Sequence, residues 1–74
     1  MPIMVNMSFV REDQSRMRRQ LTQEAIELAM QGRWTEAADV NQEILGSYPG
    51  DPDAHNRLGR ALMELGRYQE ARNA

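Results

Sequence analysis

The sequence predicts an all-α protein made of antiparallel helical hairpins, and three observations carry that reading. The hexapeptide GRWTEA at residues 32–37 returns as GRYQEA at residues 66–71, a constant offset of 34 residues. A period of that length fits a helix, a glycine turn, a second helix and a short link, the unit that stacks into an α-solenoid. Apolar residues recur at helical spacings, and no segment alternates apolar and polar long enough to suggest a strand.

Each element has a local cause. Residues 1–8 read as a flexible segment and residues 9–74 as one helical domain. The first helix is expected from about Phe9 to Gln31, because Val10, Met17, Leu21, Ala25 and Leu28 fall on one face. Gly32 ends it, as glycine commonly does. The second helix is expected over about Trp34–Leu45, burying Trp34, Ala37, Ala38, Asn41, Ile44 and Leu45, with Gly46 and Pro49 closing it. In SYPGDPDA, Asp51 is placed to cap a third helix, Pro52 suits its first position and Asp53 meets its positive end. That helix is expected to present Leu58, Ala61, Leu62 and Leu65 and to stop at Gly66. A truncated fourth helix would start at Arg67.

The residues of the repeat resemble the tetratricopeptide repeat family. The second copy matches its pattern through Leu58, Gly59, Leu62, Gly66, Tyr68 and Ala71, and the first through Leu21, Ala25, Leu28, Gly32, Trp34, Ala37 and Pro49. Glu24 stands where leucine is usual, Asn41 where an aromatic is usual and Ile44 where alanine is usual. The resemblance covers about Arg18 to Ala74, with repeat one over about 18–51 and a partial repeat two over 52–74. It implies a right-handed solenoid in which His55 takes a packing position. Ala25 and Gly59 are then expected to let each first helix approach its hairpin partner opposite Ala37 and Ala71. A leucine at Gly59 should overpack that crossing by about 1–3 kcal/mol. Trp34 is expected to pack between the first two helices, away from any ligand.

Composition narrows the function. With no cysteine there is neither a disulfide framework nor a thiolate metal site, and His55 is the sole histidine. DPDAH at residues 51–55 has the carboxylates of a metal loop, but its sixth position is Asn56 where a calcium loop needs glycine. No phosphate-cradling glycine loop, nucleophile elbow or paired histidines occur. The expectation is a non-enzyme that needs no metal or cofactor. No apolar run has the length of a membrane span, and a cytoplasmic setting is expected, with no membrane partner.

Charge is unevenly placed. Residues 1–20 sum to +2, residues 21–51 to −5 and residues 52–74 to +1, and all nine basic residues are arginine. The segment RMRRQ, Arg16 to Gln20, with Arg11 before it, supports an alternative function in nucleic-acid or anionic-surface binding. Glu12, Asp13, Glu24 and Glu27 dilute that field on the same helix, so a solvated face with pairs such as Glu12 to Arg16 is the simpler reading.

What the resemblance implies is a protein-interaction module that holds a peptide or partner helix in a groove lined by the first helix of each hairpin. The corresponding residues are Arg19, Thr22, Ile26, Ala29 and Met30 in the first copy and Asp53, Asn56, Arg60, Met63 and Glu64 in the second. Thr22, Ile26 and Arg57 stand where the family's chaperone-binding carboxylate clamp wants lysine, asparagine and asparagine, so chaperone docking is not implied. The fourth helix is too short to cover Leu58, Leu62 and Leu65, which predicts a homodimer. If Gly66 stayed helical, the third and fourth helices would fuse into a rod able to reach a second chain.

Overall fold

The computed structural model describes the backbone of residues 7–73 and the side chains of residues 14–73. It contains three α-helices: α1 Met7–Met30, α2 Trp34–Ser47 and α3 Pro52–Asn73. Among the described residues there is no strand. Of the segment expected to be flexible, residues 1–6 lie outside the described residues, while Met7 and Ser8 belong to α1. The side chain of Val10 likewise lies outside them.

α1 ends as its sequence dictates. Gly32 adopts φ +70°, the left-handed conformation open to glycine at little cost. The Arg33 N–H then donates to the Leu28 carbonyl at 2.9 Å and the Gly32 N–H to the Ala29 carbonyl at 3.0 Å, satisfying acceptors left over at the helix end. The chain reverses and α2 packs back along α1. α2 passes through Gly46 and closes at Tyr48, whose N–H donates to the Ile44 carbonyl at 2.7 Å.

α3 opens on the expected cap. Asp51 Oδ1 accepts the N–H groups of Asp53 and Ala54, each at 3.0 Å, while its Oδ2 receives the Arg18 guanidinium at 2.8 Å. These bonds, the one from Ala54 foremost, hold the Asp51 carboxyl below its ordinary range against the opposing effect of burial. His55 does not take the packing position the resemblance implies. It is exposed, and its Nε2–H donates to the Pro49 carbonyl at 2.7 Å, bracing the link.

The core is built mainly of alanine. Ala25, Leu28, Ala37, Ala38, Val40, Ile44, Ala54 and Ala61 form its buried cluster, with α2 central and in contact with both neighbours. Such small side chains let helix backbones approach closely, and Leu21, Trp34, Leu45, Tyr48 and Leu58 cover the edges. Asn41, in the place where an aromatic is usual, is buried without penalty. Its Nδ2 donates to the Ala37 carbonyl at 2.8 Å and its Oδ1 accepts Arg57 Nε at 2.9 Å.

The second hairpin departs from expectation. Gly66 does not end α3, and the separate fourth helix is absent: residues 67–73 continue the third. Within that stretch only Tyr68 and Ala71 are apolar, so a return onto α3 would gain little burial. Keeping glycine helical costs only about 1 kcal/mol relative to alanine. Gly59 consequently faces open space, with nothing within 4 Å of a Cβ built there, and Ala71 is exposed. The overpacking expected at Gly59 therefore has no counterpart within this chain.

Candidate functional site

An open groove of about 440 Å³ lies between α1 and α3. α1 contributes Ile26, Ala29 and Met30, α3 contributes Asn56, Arg57 and Arg60, and Trp34 at the start of α2 forms its end. Helical spacing explains the lining: Ala29 and Met30 lie three and four residues after Ile26, and Arg60 lies four after Asn56, so each set shares a face. Ile26 and Met30 are exposed, and methionine adapts its shape to what it meets.

The groove's polar groups carry one sign of charge. Arg57 and Arg60 line it and no carboxylate does, although the whole chain has a net charge of −2. Arg57 is held from behind by buried Asn41, and its Nη2 is buried without a hydrogen-bond partner. Arg60 lies over the Trp34 ring, 5.5 Å from the ring centre, within cation–π range. On its outer side Arg60 Nε donates to Glu64 at 3.2 Å, an exposed contact of small energetic weight.

The residues read from the sequence divide into three groups. Ile26, Ala29, Met30, Asn56 and Arg60 come together in this groove. Arg19 and Thr22 line an adjoining depression of about 410 Å³ on α1, which Ile26 connects to the first. Asp53, Met63 and Glu64 line neither. Glu64 instead receives Arg60 and Arg67, at 3.2 and 3.3 Å.

Trp34 and Arg57 join the lining although neither was among the expected groove residues, Arg57 having been named only as a departure from the chaperone clamp. Trp34, expected to be packed away between the first two helices, is half-buried at the groove's end. Its place immediately after the Gly32 turn was the available signal, since a hairpin's end buries a large ring on one side only. Arg57 depends on Asn41, sixteen residues away, and had no local signal. The N-terminal arginines are partly committed elsewhere. Arg18 bonds Asp51 and stacks 4.1 Å from the centre of the Tyr48 ring, while the Tyr48 hydroxyl donates to the Gln14 carbonyl at 3.2 Å.

A helical hairpin closed by a left-handed glycine turn, crossings filled by alanine and a groove between α1 and α3 define the class of helical-repeat interaction proteins. A tetratricopeptide repeat family model matches residues 28–74, and the chain belongs to that family. Neither the curated proteins nor the solved structures yield a match. The family is a non-catalytic module that generally mediates protein–protein interaction. No helix among the described residues is long and apolar enough to cross a membrane, and none of their acidic or histidine side chains cluster as a metal site.

Proposed function

We propose that this chain is a non-enzymatic protein-interaction module whose α1–α3 groove takes an extended peptide carrying an apolar side chain beside a carboxylate. One observation carries the reading: an apolar floor of Ile26, Met30 and Trp34 is edged by Asn56 and two arginines with no acidic residue among the lining. The apolar side chain gains burial against Ile26 and Met30, and the carboxylate accepts charge-assisted hydrogen bonds from Arg60. Asn56 is positioned to pair with peptide backbone. Arg57, anchored by Asn41, adds positive charge without having to be ordered on binding.

The test uses a capped peptide with leucine flanked by glutamates, titrated against the intrinsic emission of Trp34, the only tryptophan. Saturable binding is expected, and Arg60→Ala should weaken it about tenfold, the effect of roughly 1.4 kcal/mol from one charge-assisted contact. The variant should keep the wild-type melt because Arg60 is exposed. Equal affinity for both proteins would remove Arg60 from the site.

Self-association belongs to the same proposal. Leu62 and Tyr68 on α3 are 52% and 57% exposed, a large apolar area for so small a chain. Sedimentation at about 100 µM, where a micromolar interface is saturated, should give a dimer. A folded monomer at that concentration would refute it.

A further inference from the structure

Arg60 lines the groove, and Arg67 follows it by seven residues on the unbroken α3, so the two arginines share a face of the helix about 10.5 Å apart at 1.5 Å per residue. Glu64 stands between them and binds both: its Oε1 accepts Arg60 Nε–H at 3.2 Å and Arg67 Nη1–H at 3.3 Å. The glutamate is recessed, with 17% of its side chain exposed, whereas the arginine side chains are 65% and 71% exposed. One carboxylate thus holds two outward guanidinium groups at a set separation and leaves one positive charge in excess. Among the described residues, both Nη groups of Arg60, and Nε and Nη2 of Arg67, have no hydrogen-bond partner.

We infer that Arg60 and Arg67 together read two acidic residues of the ligand spaced three apart, an inference that rests on the groove reading proposed above. Spacing decides between ligand conformations. Side chains on one side of a β-strand recur every two residues, so they lie about 6.6 or 13 Å apart and miss the arginine spacing by roughly 3–4 Å. In a polyproline-II helix they recur every three residues, about 9 Å apart, which the long side chains on both partners can bridge. The ligand that fits is an acidic peptide in the polyproline-II conformation with glutamates at the first and fourth positions. Met63, three residues after Arg60 and four before Arg67, is 63% exposed and gives the intervening residues an apolar surface.

Charge also sets the side on which the second acid lies. Asp53, Arg60 and Arg67 follow at seven-residue intervals on this face of α3, and all three are exposed. A second glutamate carried toward the C-terminal end of α3 meets Arg67. Carried the other way it meets Asp53, and repulsion opposes it.

Capped peptides with leucine beside one glutamate, and a second glutamate added two, three or four residues away on either side, are titrated against the emission of Trp34. A second glutamate three residues away should raise affinity about threefold over the one-glutamate peptide, the size expected of one exposed ion pair, and on one side only. Arg67→Gln alters an exposed position, so it should keep the wild-type melt, and it should bind the one- and two-glutamate peptides alike. Equal gains at every spacing or on both sides would show a response to bulk charge and overturn the inference, as would a gain that survives in Arg67→Gln. The two levels separate in the same titration: binding of the one-glutamate peptide with no gain from the second refutes this spacing alone, and no binding of the one-glutamate peptide refutes the groove reading as well.

Discussion

Truncating Ile44 to alanine probes the core where its loss matters most. Ile44 is fully buried, and the other apolar residues at 0 or 1% exposure are all alanines, Ala25, Ala37, Ala54 and Ala61. Ile44, with Leu28 and Val40, therefore supplies the large side chains of the buried cluster. The substitution removes three carbons, worth about 2.4 kcal/mol at about 0.8 kcal/mol each. A cavity contribution is added, within the usual range of about 2–5 kcal/mol for such changes. Ile44 also lines a recess of about 120 Å³ with Met17, Leu21 and Tyr48, which gives its neighbours room to relax and favours the lower half of that range. The expected loss is about 3 kcal/mol, against a total of about 4–11 kcal/mol for a domain of this size. Urea unfolding followed by helical circular dichroism, at one protein concentration so that association does not shift the midpoint, measures it. With a slope of about 1 kcal/mol per molar, the midpoint should fall by about 3 M or the protein should be unfolded at the start. Ile44→Val should cost only about 1 kcal/mol. A loss below about 1 kcal/mol for Ile44→Ala would refute the assignment of Ile44 to the centre of the core.

Two further predictions follow from other parts of the fold. The Asp51 carboxyl is held below its ordinary value of 3.8 by the Ala54 N–H and by Arg18, so its contribution is complete above that value and is lost as pH falls through the lower folded-state pKa. Asp51→Ala should melt below wild type at neutral pH, and the gap should narrow in acid; a gap independent of pH would show that the cap and the Arg18 pair do not stabilise the link. Trp34 packs its ring against the core cluster with one side left open, so Trp34→Ala should cost about 4 kcal/mol, from about 150 Å² of apolar burial at about 25 cal/mol per Å², and remove binding of the leucine–glutamate peptide as read by amide shifts. A loss below about 1 kcal/mol, or unchanged peptide binding by a folded variant, would contradict this placement of the ring.

Much of the first hairpin was legible because its causes are local. Gly32 needs a left-handed conformation to finish α1, and Asp51 followed by Pro52 is a helix start whatever surrounds it. Ala25 and Ala37 announced a close crossing through size alone. Gly66 carried the same local signal as Gly32 and behaved differently, because a glycine turn forms only when the returning helix has apolar residues to bury. That balance is tertiary. The same reason separates Gly59, which faces open space, from Ala25, which is covered. In the groove, Ile26, Met30, Asn56 and Arg60 were readable from their place on the first helices. Arg57 and Trp34 were not, since one depends on Asn41 across the helix interface and the other on how far the hairpin's end closes. Nor was the Arg18–Asp51 pair, which ties α1 to the start of α3 across 33 residues.

The central claim is that α1 and α3 together form a peptide-binding surface, and amide chemical-shift mapping with the leucine–glutamate peptide tests it most directly. Perturbations should concentrate at Ile26, Met30, Asn56, Arg57 and Arg60 and at the Trp34 indole N–H, the residues that meet in the groove. Glu43 and Gln42 on exposed positions of α2 should stay unmoved. Saturable shifts centred on α2, or shifts confined to the arginines and abolished by moderate salt, would contradict it, the second because screening removes a purely electrostatic contact while leaving an apolar one in place.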